Sequence, residues 1–415
     1  MEPIRIAEGM LLHHIPSQKF TTRILCVLLR RPLARREVTL NALLPGLLAR
    51  GSAQYPTIRA IRQAAEAMDG AVFDAQIVKK GEQQILQFFL ESATDGHDAS
   101  ALDFLQEVLL RPRLDERGFH APYFEGECEN LRKRIEGRIN HKAEYANLKC
   151  LEALCAEEPF GLFGDGYAED LPGVTPQSLW TFYRKIWAAS AVDFIALGDW
   201  DAPWLQTQLA ERFAGGLSSA ERAFQGEPPP AQRRKARAQR QQIDLQMGSA
   251  QGNLCAALRG TIDPLGPDFV HFQLANEILG GGPNAKLFTN VREKESLCYA
   301  IYSTLYRFKS LLCIQAGTEP DKLAQVLQLA EAEVEALRQG RFSAEDLHSA
   351  QQSLAKRWRV LQDNPSACVD FYASQYLLGD RRTLDELLAE VDRASAEGVA
   401  RTMGQLTMDT VVMLR

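Results

Sequence analysis

Hydrophobic positions along the chain follow two periods, near 3.6 and near 2, and the order in which they alternate repeats. In the first half, Thr57–Asp69 carries apolar residues at helical spacing and stops at Gly70, a residue suited to the left-handed backbone that ends helices. Two alternating runs, AVFDAQIVK and QQILQFFLE, then flank Lys80-Gly81, which predicts a β-hairpin. Helical periodicity returns in ALDFLQEVLL and from Tyr123 to Cys155. TPQSLWTFYRKIW predicts another helix, and the apolar run AVDFIALG after it predicts a buried strand. The second half predicts helices over Asp268–Leu279 and Lys286–Lys294, strands CYAIYSTLY and LLCIQAG, and long helices between Pro320 and Leu378. It too closes on a helix, ASAEGVARTMGQL, followed by a strand, TVVMLR.

Two halves that both end helix-then-strand point to a duplicated unit of about 200 residues. The expected fold class is α+β: two homologous domains, each an antiparallel β-sheet covered on one side by α-helices. The stretch SSAERAFQGEPPPAQRRKARAQR, Ser218 to Arg240, has three consecutive prolines, a basic run and almost nothing apolar, so it favours extended, solvated backbone. It divides the sequence into a first domain over 1–217, a Pro-rich basic linker over 218–242 and a second domain over 243–415.

With 415 residues, 46% of them apolar and 24% charged, the chain has ordinary globular composition, which excludes disordered, collagenous and low-complexity classes. Lys+Arg 47 against Asp+Glu 53 gives a net charge of −6, so no global positive field draws in phosphates and no nucleic-acid partner is expected. In this acidic context the basic run at Arg233, Arg234, Lys235, Arg237 and Arg240 reads as a solvated tether rather than a polyanion site. The eight cysteines form no C-x-x-C pair and lie mostly in apolar stretches, as buried free thiols of a reducing compartment do. The opening MEPIRIAEGMLLHHIP lacks a secretory apolar core, and no run approaches the ~20 apolar residues of a membrane span. A cytoplasmic chain without a membrane partner is expected.

The stretch LGGGPNAKLFTNVREKESLCYAIYS, Leu279 to Ser303, is the most specific part of the sequence. It resembles the second-domain signature of the insulinase/pitrilysin family of metallopeptidases, and the paired halves and the linker extend the likeness over essentially the whole chain. The opening HHIPSQKFTTRILCVLLRRPL and INHKAEYANLKCLEALCAEEPFG look most like a bacterial subfamily of non-peptidase members associated with elongation factor P modification. The resemblance implies two α+β domains arranged as a clamshell. Active members carry H-x-x-E-H on the first helix, where two imidazoles bind zinc and the glutamate activates water. Laid on that pattern, the helix Asn41–Arg50, which runs into Arg50-Gly51-Ser52, places Ala42 and Gly46 at the ligand positions and Pro45 at the general-base position. None can bind zinc or take up a proton, so no metal and no cofactor are expected on this chain.

No other segment supplies a replacement. Among His13, His14, His97, His120, His141, His271 and His348 none forms either zinc motif, and the nearest, His141-Lys-Ala-Glu144-Tyr145, offers a phenol where a second ligand should stand. His13 and His14, adjacent in a strand, point to opposite faces. Glu129 and Glu136, seven apart, match the family's downstream acidic pair, but without the histidines Glu136 is an ordinary helix carboxylate.

The other half of the family's site is present. The resemblance assigns Arg292 and Tyr299 the roles of holding a substrate carbonyl and donating to an oxyanion. The alternative for the pair is structural, a helix-end cation and a β-forming residue. Gly280, Gly281, Gly282 and Asn284 form a turn that lacks phosphate-loop spacing and follows a helix, so the family resemblance makes it a substrate-contacting or subunit-contacting loop, with Asn284 and Lys286 as rim contacts. The expected function is therefore a non-catalytic subunit of a heterodimeric zinc metalloprotease acting on peptides. Its partner would be a homologous H-x-x-E-H-bearing subunit that holds the zinc, with a homodimer as a further assembly. The alternative is a proteolytically inactive peptide-binding or scaffold protein, including one serving elongation factor P modification.

Overall fold

Thirteen strands and thirteen α-helices are present among the residues that the computed structural model describes: 2–94, 96, 98–214, 226, 228 and 230–415. In chain order the first elements are β1 (Ile4–Ala7), β2 (Met10–Pro16), β3 (Thr22–Pro32), α1 (Val38–Leu48), α2 (Ile58–Glu66), β4 (Val72–Lys80), β5 (Gln83–Ala93) and α3 (Asp98–Leu110). A two-residue ribbon, β6 (Leu114–Asp115) with β7 (Gly118–Phe119), precedes α4 (Ala121–Gly137), α5 (Lys142–Leu154), α6 (Pro176–Ala189), β8 (Ala191–Gly198) and α7 (Ala202–Leu209). Then come β9 (Gln241–Leu245), β10 (Gly252–Arg259), α8 (Asp268–Asn276), β11 (Cys298–Tyr306) and β12 (Leu311–Thr318). The chain finishes with α9 (Leu323–Arg338), α10 (Ala344–Leu361), α11 (Pro365–Leu378), α12 (Leu384–Arg393), α13 (Ala396–Gly404) and β13 (Thr407–Leu414).

The first compact unit comprises Met1–Glu136, Leu162–Pro230 and Pro365–Ser374. Its sheet runs β1-β2-β8-β3-β5-β4. Leu25, Val27 and Leu29 of β3, Phe88 of β5 and Phe194 of β8 point to one face and meet Leu44 and Leu48 of α1 and Phe104 of α3 in a dry core. β3 and β8 are buried at nearly every position, so what has period two here is the face to which each side chain points. The predicted hairpin stands at β4–β5, where Lys80 opposes Gln83 and Gly81 has φ +57°. The predicted helix stop is also present: Thr57 caps α2 by accepting from the Ala60 amide at 3.1 Å, and Asp69 and Gly70 turn left-handed beyond its end.

The second unit comprises Gly137–Gly161, Ala231–Asn364 and Gln375–Arg415. Its sheet runs β11-β12-β10-β13-β9, which read backwards repeats β2-β8-β3-β5-β4 strand for strand. The one parallel contact in each sheet falls at the same place, β2 with β8 and β9 with β13. The fold is thus the expected α+β duplication, with one difference: the first and last strands of each repeat lie side by side in parallel, so neither sheet is purely antiparallel. Sequence alternation alone carries no information on that pairing.

Two further differences have local causes. The helical stretch Tyr123–Cys155 is broken where α4 ends at Gly137 and a 3₁₀ turn, Arg138–Asn140, leads to His141 (φ −96°, ψ +77°) at the start of α5. Cys150, Leu151 and Leu154 of α5 pack on Cys255, Ala257, Cys313 and Val412 of the second sheet. The basic run is largely exposed, as a solvated segment is, and in addition makes ion pairs. Arg237 donates from its guanidinium to Asp409 at 2.6 Å and to the Ala153 carbonyl at 2.8 Å, while Arg240 pairs with Glu331 and Arg234 with Glu157 at 3.4 Å. Residues 218–225, 227 and 229 of the expected linker lie outside the described residues, as does His97.

A buried ionic cluster fastens the 137–161 segment inside this unit. Glu158 accepts from Arg259 at 2.6 Å through one carboxylate oxygen and faces Lys309 at 2.6 Å through the other. Burial pushes the Glu158 carboxyl up, but the two cations outweigh it and hold it below its ordinary range. No helix among the described residues is long and apolar enough to cross a membrane.

Candidate functional site

Helix α1 follows β3 and buries most of its length, including Ala42, Leu43, Leu44, Pro45 and Leu47. Pro45 within it removes the backbone donor that would close the bond to Asn41. Separately, the Asn41 side chain donates to Gln84 Oε1 at 2.9 Å, and Gln84 donates to the Val38 carbonyl at 2.8 Å, stitching α1 to β5.

Beside Gly46 the space for a side chain is occupied. A Cβ there would lie 2.5 Å from Glu127 Oε2, which comes in from α4. The same carboxylate accepts from Arg50 Nε just beyond the end of α1. Ala42, Pro45 and Gly46 bring no donor atom, and the one carboxylate at hand is engaged by a guanidinium. These residues do not fit a zinc ion. Among the described residues no group of three or more His, Cys, Asp and Glu side chains is arranged to hold a metal.

The acid that faces the motif position is Glu127, whereas Glu129 and Glu136, which match the family's acidic pair by spacing, do not face it. Glu129 is solvent-exposed and pairs with Lys133 at 3.4 Å, and Glu136 is exposed. Two residues along a helix rotate a side chain by about 200°, so Glu127 and Glu129 belong to different faces. His141 precedes α5 and does not share a helical face with Tyr145, whose ring lies under the Lys149 ammonium at 5.8 Å.

In the second unit α8 loosens into a π-helical turn, Glu277–Gly281, and a second π-helical stretch, Leu287–Lys294, carries Arg292. The chain then turns at Ser296, left-handed at φ +53°, and enters β11 at the sheet's edge. The ladder skips a residue between Cys298 and Ala300, so Tyr299 sits in a β-bulge and is 60% exposed. Bulges re-aim side chains at sheet edges in this way. Arg292 is exposed and lies 4.8 Å from the centroid of the Phe288 ring. Burial pushes the Cys298 thiol up while the Arg292 guanidinium opposes that shift, so the positive charge is felt at the start of β11. Neither the Arg292 guanidinium nor the Tyr299 hydroxyl makes a hydrogen bond or ion pair among the described residues. Tyr302, which the sequence did not single out, is a second exposed tyrosine of β11 and donates to Gln315 Oε1 at 3.2 Å. The Y-x-x-Y spacing across a bulged edge strand is the signal that could have found it.

The glycine turn divides in two. Gly280 is buried, and a Cβ on it would lie 2.6 Å from the Ser303 amide nitrogen of β11, so its bareness serves helix-to-strand approach. Gly281 is similarly crowded by its own helix, 2.4 Å from Asn276 Nδ2. Gly282 and Asn284 line a polar cavity of about 530 Å³ together with Lys286, Asn290, Asp346 and His348. Lys286 is held in an ion pair with Asp346 at 2.6 Å. Burial pushes the Asp346 carboxyl up, but Lys286 and the Ser343 amide bring it below its ordinary value. Beneath the turn the buried Glu277 carboxylate accepts from Ser353 at 3.1 Å and from Arg357.

Comparison with known proteins gives one consistent picture. Residues 173–354 match the family described as Peptidase M16 inactive domain. A curated relative, "Probable inactive metalloprotease YmfF" of Bacillus subtilis (strain 168), is 26% identical over 419 residues, covering 98% of this chain and 96% of that protein. The crystal structure of a conserved protein from Enterococcus faecalis V583 superposes with a TM-score of 0.90 at 25% identity, covering 100% of this chain and 98% of the other. A structure described as a peptidase M16 inactive domain from Pseudomonas fluorescens shares the fold at a TM-score of 0.83 and 20% identity, over 100% and 97% of the two chains.

Proposed function

As a member of the M16 (insulinase/pitrilysin) peptidase family without the zinc motif, this chain, we propose, is the non-catalytic subunit of a two-chain peptidase, contributing Arg292 and Tyr299 to the zinc site of an H-x-x-E-H-bearing partner. The observation that carries this reading is the contrast between its two candidate half-sites. Where the metal motif would stand there are three residues without a side-chain donor atom and an Arg50–Glu127 ion pair. On the approach to β11 and at its start, by contrast, an exposed guanidinium and an exposed phenol make no side-chain hydrogen bond among the described residues. A guanidinium suits a peptide carbonyl, and a phenol O–H suits the oxyanion that forms from it. Binding by remote parts of the substrate fits Gly282 and Asn284, which face the polar cavity.

That same cavity favours a second reading, a peptide-binding or scaffold protein that holds its ligand without cleaving it, including one in elongation factor P modification. Co-expression with an H-x-x-E-H relative from the same genome separates the two. The subunit reading expects a stable heterodimer in gel filtration, and peptidase activity that neither chain shows alone. Activity of the partner that is complete without this chain would leave only the scaffold reading.

A further inference from the structure

The family relationship implies a metal between α1 and α4, and the residues present do not fit one; the disagreement has a specific physical content. We propose that the Arg50–Glu127 ion pair is a metal-free tie that holds α1 to α4 at the place of the lost zinc site.

Four observations converge on it. The Glu127 carboxylate lies where a side chain at position 46 would begin, with a Cβ there 2.5 Å from Oε2, so an imidazole and this carboxylate orientation exclude each other. On the facing helix, a Cβ at Gly126 would lie 3.4 Å from an Arg50 guanidinium nitrogen, so bare positions on both helices flank the pair. The two side chains are largely shielded from solvent, 21% and 15% exposed, which makes a lone carboxylate costly there and a fixed cation beside it effective. Arg50 also stands just past the C-terminal end of α1, where its amide bonds the Leu47 carbonyl at 3.1 Å and where a positive charge is favoured by the helix dipole. A guanidinium meets the charge requirement of a partly buried carboxylate without any ligand from Ala42, Pro45 or Gly46. The fixed cation also explains how the helix pair tolerates a proline in α1: the tie runs through side chains beyond Pro45 and does not need its missing amide.

The inference does not depend on the heterodimer reading, because it concerns folding of this chain alone. The test is a thermal-unfolding double-mutant cycle on the full chain. Arg50→Met should lower the first unfolding midpoint by about 4 to 10 °C, by leaving a shielded carboxylate without its cation. The Arg50→Met/Glu127→Gln double variant should recover part of that loss, and Arg50→Lys should lose less than Arg50→Met. If Arg50→Met fails to fold, folding of the double variant supports the proposal, and failure of both overturns it. Additive single effects, with no recovery in the double variant, would likewise overturn it. In a second arm, excess ZnCl₂ followed by EDTA should move the wild-type midpoint by less than about 1 °C. A zinc-dependent rise abolished by Glu127→Gln would show that the carboxylate still serves a metal and that the ion pair is not its replacement.

Discussion

Replacing Glu158 with glutamine should expose how the 137–161 segment is fixed in the second unit. The carboxylate is 3% exposed and faces Arg259 and Lys309, themselves 2% and 0% exposed, at 2.6 Å each. The substitution keeps the volume but withdraws the negative charge from two fully buried cations. Removing one partner of a buried pair costs about 3–5 kcal/mol. Arg259 keeps the Leu154 carbonyl at 2.8 Å and Asp409 at 3.8 Å, and Lys309 keeps the Gln232 carbonyl, so the lower end, about 3 kcal/mol, is expected. Urea unfolding at pH 7 reads it as a shift in midpoint at unchanged slope. The pH dependence carries the sign. Glu158 is held below its ordinary value near 4.5, so its contribution is complete above that value and is lost as pH falls through the lower folded-state value. Wild type and variant should therefore differ most at neutral pH and converge in acid, once the pH has fallen below the lowered folded-state value. A difference under about 1 kcal/mol at pH 7, or one that grows on acidification, would refute the argument.

Other consequences are direct. Gly280→Ala places a methyl against the Ser303 backbone and should destabilise by about 1–3 kcal/mol in denaturant unfolding, while Gly404→Ala, with open space around its Cβ position, should not. Ser296→Gly relieves a left-handed residue and should stabilise by about 0.5–1 kcal/mol without disturbing partner binding, read by a thermal shift and gel filtration. Restoring Ala42→His, Pro45→Glu and Gly46→His together should yield no stoichiometric zinc by metal analysis while Arg50 engages Glu127, and adding Arg50→Leu should raise zinc content.

Local chemistry was the readable part of this sequence. Thr57 before α2, the left-handed Gly70 after it and Gly81 between β4 and β5 are decided by neighbouring residues, and the structure has each in place. The duplication was readable for the same reason, because each repeat writes its own apolar pattern. Pairings between distant residues were not. The parallel β2–β8 contact joins the ends of a repeat, and Arg237 meets Asp409 across 172 positions of sequence. The π-helical stretches around Gly281 and Arg292 shift the period away from 3.6, so the helices predicted there were right in place and wrong in winding. At the lost motif, spacing pointed to Glu129 and Glu136, whereas helix rotation selects Glu127. The empty motif itself was plain from Ala42, Pro45 and Gly46, because the absence of donor atoms requires no structure to see.

The central claim is that Arg292 and Tyr299 act on a partner's substrate, and Tyr299→Phe tests it most directly. In a reconstituted pair with an H-x-x-E-H subunit, steady-state peptide hydrolysis should show kcat reduced about 10²–10³-fold with KM little changed, since the lost hydroxyl donates mainly in the transition state. The bulged, exposed position of Tyr299 means that fold and association should be preserved, and zinc content should be unaltered because the proposed assembly places the metal on the other chain. Undiminished kcat in a pair carrying both Tyr299→Phe and Arg292→Ala would contradict the account.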